Sequence, residues 1–192
     1  MNFLAHSYLT FSDGQIVGQF LEDFIRNKDR FSFPEKIGQG ITLHRAIDTF
    51  TDAHPEIHEA KKIFSSLVRL YAGAFVDVAF DYFLANSLPE KILKEHSEKV
   101  YRVLRNHEEI FPENFLRMLD SMEEDNWLYN YREDWGIKFS IQNVLSKAKY
   151  LDKNTPVFDV FLQNKAQLKV HFDAFFPDIL VEAQRINETF NH

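Results

Sequence analysis

The segment 74–85 constrains the fold more than any other part of the chain, because it is apolar on every side of a helix. Its sequence, Ala-Phe-Val-Asp-Val-Ala-Phe-Asp-Tyr-Phe-Leu-Ala, carries only two charges, Asp77 and Asp81. A helix that is hydrophobic all round is buried, so other elements must cover it. Elsewhere apolar residues recur at helical spacing, and no segment alternates as a strand does. We therefore predict an all-α fold, a single-domain helical bundle over residues 1–192.

The covering helices are predicted from apolar periodicity and from the prolines that separate them. The periodicity predicts helices over 15–25, 35–50, 55–71 and 74–87, with weaker patterns over 91–105, 114–120, 137–149, 157–174 and 179–190. The chain has twenty Phe. Their bulk suits the core of a helical bundle, but an apolar groove for a partner or ligand would have the same composition.

Composition narrows the class of protein. With 45% apolar and 27% charged residues, the chain is expected to be globular rather than disordered. It has no Cys, which excludes disulfides, Cys-ligated zinc, iron–sulfur clusters and a thiol nucleophile. We see no signal peptide and no run of about 18 apolar residues, so we expect a cytoplasmic protein with no membrane segment. A net charge of −7 argues against a nucleic-acid partner.

Asp77 and Asp81 are the first candidate site residues. They are four residues apart and therefore lie on one face of the apolar helix. Two buried carboxylates are costly through desolvation and mutual repulsion, so a positive group should face them. That group could be an arginine such as Arg45 or Arg69, a shared proton, or a divalent metal.

A second cluster precedes this helix. His44, Asp48 and Asp52 follow one another at four-residue intervals and form one polar stripe of a helix. Imidazole with carboxylates suits Mn²⁺, Mg²⁺, Fe²⁺ or Zn²⁺, and the adjacent Arg45 could clamp a phosphate oxygen. Two more candidates are His6, in an apolar stretch where a core histidine is the alternative, and Asp23, which could instead pair with Arg26.

Several common catalytic motifs are missing from the sequence. It contains no glycine-rich dinucleotide or Walker-type phosphate loop, no His-Glu-x-x-His, no Glu-x-x-His and no Gly-x-Ser-x-Gly. Metal-assisted hydrolysis on a helical scaffold is the chemistry that remains.

These residues resemble the acyl carrier protein phosphodiesterase family in order over about residues 2 to 150. The segment around His44 is the specific part of the resemblance. The motifs that carry it are Asn2-Phe-Leu-Ala-His6, Gly18-Gln-Phe-Leu-Glu-Asp23-Phe, Gly40-Ile-Thr-Leu-His44-Arg45-Ala-Ile-Asp48-Thr-Phe-Thr-Asp52, Asp77-Val-Ala-Phe-Asp81-Tyr-Phe-Leu, Trp127-Leu-Tyr-Asn-Tyr-Arg132 and Ile141-Gln-Asn-Val-Leu.

The resemblance implies an HD-domain-like metal phosphohydrolase, typically Mn²⁺-dependent. Such an enzyme hydrolyses the phosphodiester that joins 4′-phosphopantetheine to a serine of holo acyl carrier protein. The expected metal ligands are His6, Asp23, His44 and Asp77. In the expected catalytic set, Asp81 is a further ligand or base, Arg45 holds a phosphate oxygen, and Asp48 orients His44 or a water. Family members often have His where this chain has Tyr82, which would weaken the site if that His were a ligand.

Two other functions stay open from the sequence. One is a phosphohydrolase of the same mechanism that acts on a small nucleotide or another phosphodiester. The other is a helical binding protein whose carboxylates only make salt bridges. The resemblance also implies a partner that is acidic around the modified serine, and recognition of it by this acidic chain requires a local basic patch. The candidates are Arg26, Lys28, Arg30, Lys61 and Lys62.

Overall fold

The computed structural model describes residues 2–190, and over that range the fold is all-α, as the sequence predicts. No strand occurs among the described residues. Short 3₁₀ turns at Glu22–Phe24, Asn27–Phe31, Arg69–Tyr71 and Glu108–Ile110 connect some of the helices. The α-helices are α1 (Phe3–Tyr8), α2 (Asp13–Leu21), α3 (Glu35–Ala53), α4 (Pro55–Val68), α5 (Ala72–Ser87), α6 (Glu90–Arg105), α7 (Glu113–Glu124), α8 (Trp127–Asn130), α9 (Asp134–Lys147) and α10 (Val157–Thr189).

Helix α5 contains the apolar segment 74–85 and lies at the centre of the fold. It packs against α1, α4, α9 and α10, which is why nearly every side of it is apolar. Phenylalanines form much of the surrounding core. Phe80 of α5 contacts Phe172 and Phe175 of α10, with ring centroids 5.5 and 5.7 Å apart. For these rings the core interpretation is confirmed.

Helices α2 and α3 touch backbone to backbone, because glycines face each other across the contact. A Cβ built on Gly18 would lie 2.7 Å from Gly40 Cα, closer than real side chains approach. Gly40 in turn faces Gln15, whose Cα would be 2.7 Å from a Cβ at position 40. Glycine is therefore required at both positions for this packing. The contact fixes the position of the C-terminal end of α2 along α3.

Helix α10 differs from the prediction, which separated it into two helices at Pro177. The structure has one helix of 33 residues with Pro177 inside it. Proline removes one intrahelical hydrogen bond and usually kinks or ends a helix. Pro177 is exposed, so the carbonyl that loses its partner can reach water. On the inner face Phe176 and Ile179 stay buried on both sides of it, so core packing holds the helix together.

The helical stretch Pro55–Ser87 is long and apolar enough to cross a membrane, by length and composition only. Its most apolar window has a mean hydropathy of 1.5. The chain does not run straight through it. Arg69 has a φ of 51°, and the 3₁₀ turn that begins there lets α4 and α5 pack against each other. The stretch is a helical hairpin in the core rather than one rod.

The glycine contact predicts opposite effects for two Gly→Ala substitutions. Gly18→Ala should lower the free energy of unfolding by about 1–3 kcal/mol, because its Cβ overlaps α3. Gly38→Ala is the control, since a Cβ there would meet nothing within 4 Å. It should raise stability by up to about 1 kcal/mol through helix propensity. Urea unfolding of both variants measures the difference, and equal effects would contradict the backbone contact.

Candidate metal centre

One polar pocket collects side chains from five helices. It has a volume of about 290 Å³ and is open to solvent on one side. Its walls are formed by α1, the end of α2 with the following 3₁₀ turn, α3, α4 and α5. The lining residues are Asn2, Phe3, His6, Gln19, Phe20, Asp23, His44, Asp48, Thr51, Asp52, Lys61, Gly73 and Asp77.

His6 and His44 form the floor of the pocket. Both are buried, and their rings stack with centroids 4.0 Å apart and planes 8° from parallel. The Nε2 atoms of both rings point to the same carboxylate. His6 Nε2 lies 3.2 Å from Asp48 Oδ1, and His44 Nε2 lies 3.2 Å from Asp48 Oδ2. Donor atoms of the three residues lie within 4.8 Å of one another.

Gln19 orients both histidine rings. His44 Nδ1 is 2.9 Å from the Gln19 backbone oxygen, which can only accept, so Nδ1 carries the proton. His6 Nδ1 is 2.8 Å from Gln19 Oε1 and donates to it. In both rings the unprotonated nitrogen of the neutral form is therefore Nε2, the atom that faces Asp48. One residue sets two tautomers from behind the rings, as outer partners do in metal sites.

This arrangement favours a proton or a metal ion between the rings and the carboxylate. Two neutral Nε2 lone pairs aimed at carboxylate oxygens repel them unless a proton or a metal ion lies between. Burial and the neighbouring His44 lower the pKa of His6, so His6 resists taking that proton. Burial opposes protonation of His44 too, but Asp48, Asp23 and Glu22 outweigh it and raise the pKa of His44. The donor set fits a divalent metal.

Asp23 and Asp77 complete the acidic lining. Asp23 follows α2 in the 3₁₀ turn, and its Oδ1 is 3.8 Å from His44 Nε2. Together with Glu22 and His44 it forms a second group of closely spaced donors. Asp77 of α5 also lines the pocket, outside the two donor groups. The structure thus brings together His6, Asp23, His44, Asp48 and Asp77 from the sequence prediction.

Asp81 does not reach the pocket, contrary to its predicted role as ligand or base. It is completely buried, and its carboxylate accepts the backbone N–H groups of Leu4 at 2.8 Å and Ala5 at 3.1 Å. These are among the first N–H groups of α1, which have no partner within the helix. Asp81 therefore anchors α1, the helix that carries His6. Its neighbour Tyr82 packs beside Phe161 and not in the pocket, so the missing family His leaves these donors unchanged.

Arg45 is also outside the pocket lining, and its side chain has other partners. Its Nε donates to Glu22 Oε1 at 2.6 Å, and a terminal nitrogen donates to Asn27 at 2.7 Å. On α3 the residue after His44 points about 100° away from it, which accounts for the difference. Asp48 was expected to orient His44 or a water. The structure places its carboxylate on the Nε2 side instead, and Gln19 has the orienting position.

Gln19 and Lys61 are site residues that the sequence analysis did not single out. Gln19 lies inside the quoted Gly18–Asp23 motif, directly after the glycine that brings α2 against α3. Its position in that motif, next to Gly18, was the one feature of the sequence that could have indicated a role for Gln19. Lys61 was considered only as part of an external basic patch. The structure places it on the pocket wall, where its Nζ is 2.8 Å from Asp52 Oδ1.

Comparison with known proteins identifies close similarity over most of the chain. Residues 1–179 match the family described as acyl carrier protein phosphodiesterase. Proteins named acyl carrier protein phosphodiesterase from Escherichia coli strain K12 and strain SMS-3-5 are each 32% identical to it. These alignments cover 96% of this chain and 98% of each relative. No solved structure matches the chain.

The hydrogen bonds of Gln19 predict that Gln19→Leu weakens metal binding while the protein stays folded. Leucine keeps the backbone acceptor for His44 but leaves His6 Nδ1 without its acceptor, so the His6 ring loses its fixed orientation. We expect metal affinity to fall by roughly 10–100-fold, the usual effect of removing such a partner. The control is Gln15→Leu, a buried glutamine of the same helix that bonds Phe11 and Asn187. Titration calorimetry with Mn²⁺ would contradict this role if both variants bound alike.

The raised pKa of Asp81 predicts that the free energy of unfolding depends on pH. Burial raises the pKa of Asp81 to about 7, although the two backbone N–H groups oppose the shift. Between about pH 4 and 7 the folded protein therefore holds a proton that the unfolded chain has released. The stabilisation is complete below about pH 4 and is lost as the pH rises through 7, by about 1.4 kcal/mol per pH unit.

Asp81→Asn removes this titration. In metal-free protein, the difference in free energy of unfolding between parent and variant should fall from about pH 4.5 to pH 8. Urea unfolding at several pH values measures it. A difference that stays constant with pH would show that Asp81 is already ionised throughout.

Proposed function

The chain belongs to the acyl carrier protein phosphodiesterase family, and we propose that it hydrolyses holo acyl carrier protein to the apo protein and 4′-phosphopantetheine. The observation that carries this proposal is the convergence of His6 Nε2 and His44 Nε2 on Asp48 in an open pocket. A helical binding protein has no need of two buried imidazoles and a carboxylate whose donor atoms lie within 4.8 Å of one another in an open pocket. A metal-dependent hydrolase does.

The proposed cofactor is a divalent metal, Mn²⁺ in the first place, with Mg²⁺, Fe²⁺ or Zn²⁺ as alternatives. His6, His44 and Asp48 would hold it, and Asp23 would add a fourth ligand. When bound, such a metal neutralises charge on the phosphoryl group and lowers the pKa of a bound water. The mixed nitrogen and oxygen ligands are compatible with each of these metals, so the structure supports the site but not one metal among them.

Two further pocket residues, Asp77 and Gln19, have proposed roles in proton transfer and in the orientation of the histidine rings. Hydrolysis adds the oxygen of water to phosphorus and breaks the bond between phosphorus and the serine oxygen, which must receive a proton. We assign two steps to Asp77, in place of the buried Asp81: it accepts the proton of the water and then gives that proton to the serine oxygen. Asp77 lines the same pocket and comes from α5, whereas His44 and Asp48 come from α3. Gln19 keeps the two rings oriented.

The partner surface is proposed to be the segment after Asp23. Arg26 and Lys28 are exposed there, three and five residues beyond Asp23 at the pocket rim. Arg26 pairs with Asp29 at 2.8 Å, a surface pair that is weak enough to exchange partners. Arg30 instead lies over the Phe31 ring at 4.4 Å. Exposed cations beside the pocket would attract the acidic surface of an acyl carrier protein. We also propose that the reaction takes place in the cytoplasm.

The proposal predicts that holo acyl carrier protein loses its phosphopantetheine when incubated with the protein and Mn²⁺. Intact-mass spectrometry detects the apo product. Chelation with EDTA should stop the reaction, and added Mn²⁺ should restore it. His44→Ala should reduce the rate by at least about 10²-fold, because it removes a metal ligand. His107→Ala is the control, since His107 bonds the Val103 carbonyl away from the pocket.

Two results would contradict the proposal. If holo acyl carrier protein stayed intact while a nucleotide or a small phosphodiester was hydrolysed with Mn²⁺, the substrate would be a different one. If nothing was hydrolysed and no metal was bound, the protein would be a binding protein and the pocket carboxylates would be structural.

A further inference from the structure

Lys61 is the one lysine or arginine among the described residues that line the pocket. Four aspartates, Asp23, Asp48, Asp52 and Asp77, line it as well. An anionic phosphodiester that enters such a pocket is repelled by the carboxylates unless cations offset them. A metal held at the histidines is one such cation. Lys61 is another, and it is supplied by the chain itself.

The Lys61 side chain passes close to Gly73 in the first turn of α5. A Cβ at position 73 would lie 3.1 Å from Lys61 Cε and 3.7 Å from its Nζ. The end of the lysine side chain therefore passes over the bare backbone of this glycine. Gly73 and Asp77 are four residues apart on α5 and share a face. Lys61 thus enters the pocket one helical turn from Asp77.

The present partner of Lys61 is easily exchanged. Its Nζ is 2.8 Å from Asp52 Oδ1, but the Asp52 side chain is 78% exposed, whereas that of Lys61 is 31% exposed. Ion pairs with so exposed a partner contribute at most about 1 kcal/mol. A phosphate oxygen, which offers a stronger charge-assisted hydrogen bond, can replace Asp52 at little cost.

We propose that Lys61 binds a non-bridging phosphate oxygen of the substrate, with Asp52 holding the lysine in place until the phosphate arrives. The proposal rests on the proposed phosphodiesterase function and gives Lys61 the contact that the sequence analysis assigned to Arg45. It accounts for the one lysine or arginine among four aspartates in the described lining. The lysine selects phosphate by charge, so it serves any phosphodiester or phosphate monoester that fits.

The test uses inorganic phosphate as the probe, with the full chain in the presence and absence of Mn²⁺. Lys61→Met keeps the length of the side chain and removes its charge. We expect phosphate affinity and kcat/KM for bis(4-nitrophenyl) phosphate to fall by roughly 10-fold or more, while Mn²⁺ content stays at the parental level. Lys61→Arg keeps the positive charge and should therefore retain part of the phosphate affinity and part of kcat/KM. Lys62→Met is the matched control, because the neighbouring lysine pairs with Glu59 and lies outside the pocket lining.

Asp52→Asn provides a second, independent test that does not alter the lysine. It removes the competing carboxylate, so phosphate should bind more tightly than to the parent. Unchanged phosphate affinity in Lys61→Met, or weaker binding in Asp52→Asn, would overturn the proposal. Neither measurement involves acyl carrier protein. A protein that left holo acyl carrier protein intact but showed both effects would lose the proposed substrate and keep the phosphate-binding lysine.

Discussion

The close approach of α2 and α3 at Gly18 and Gly40 determines the geometry of the whole site. Gln19 directly follows Gly18, and His44 lies one helical turn beyond Gly40. Because the two backbones touch at the glycines, the Gln19 carbonyl reaches His44 Nδ1 at 2.9 Å. The Gln19 side chain then reaches across to His6 at 2.8 Å. A side chain at either glycine would separate the helices and the histidine rings together.

The charges of the pocket explain why a protein would keep so costly an arrangement. Buried imidazoles and a carboxylate destabilise a fold unless they are paired. Burial raises the pKa of Asp48, but His44 and His6 beside its carboxylate outweigh burial and hold that pKa well below its usual range. At neutral pH the Asp48 carboxylate is therefore ionised, which favours a cation beside it. Asp81 anchors α1 from the far side and keeps His6 within reach of that cluster.

Much of the fold could be predicted from the sequence, because one local signal was strong. The all-round apolar pattern of residues 74–85 identifies the central helix without tertiary information. Helix α1 was not predicted, since six residues are too few for a periodic pattern and its start depends on Asp81, 77 residues from Leu4. Pro177 was expected to end a helix, but core packing of Phe176 and Ile179 outweighs the lost hydrogen bond.

The site could be predicted only in part, where its residues are neighbours on one helix. His44 and Asp48 are four residues apart on one helix, so their proximity follows from the spacing alone. The four-residue spacing of Asp77 and Asp81 is just as regular. The sequence around Asp77 and Asp81 does not show that Asp77 lines the pocket whereas Asp81 accepts the first N–H groups of α1. The roles of Gln19 and Lys61 depend on contacts between helices, which spacing along one helix does not contain.

The most direct test of this account is an anomalous diffraction experiment on crystals soaked in Mn²⁺. The account predicts one strong anomalous peak within bonding distance of His6 Nε2, His44 Nε2 and an oxygen of Asp48. A crystal with no peak there, or with its strongest peak at the exposed acidic residues outside the pocket, would contradict the central claim that these three residues form a metal centre.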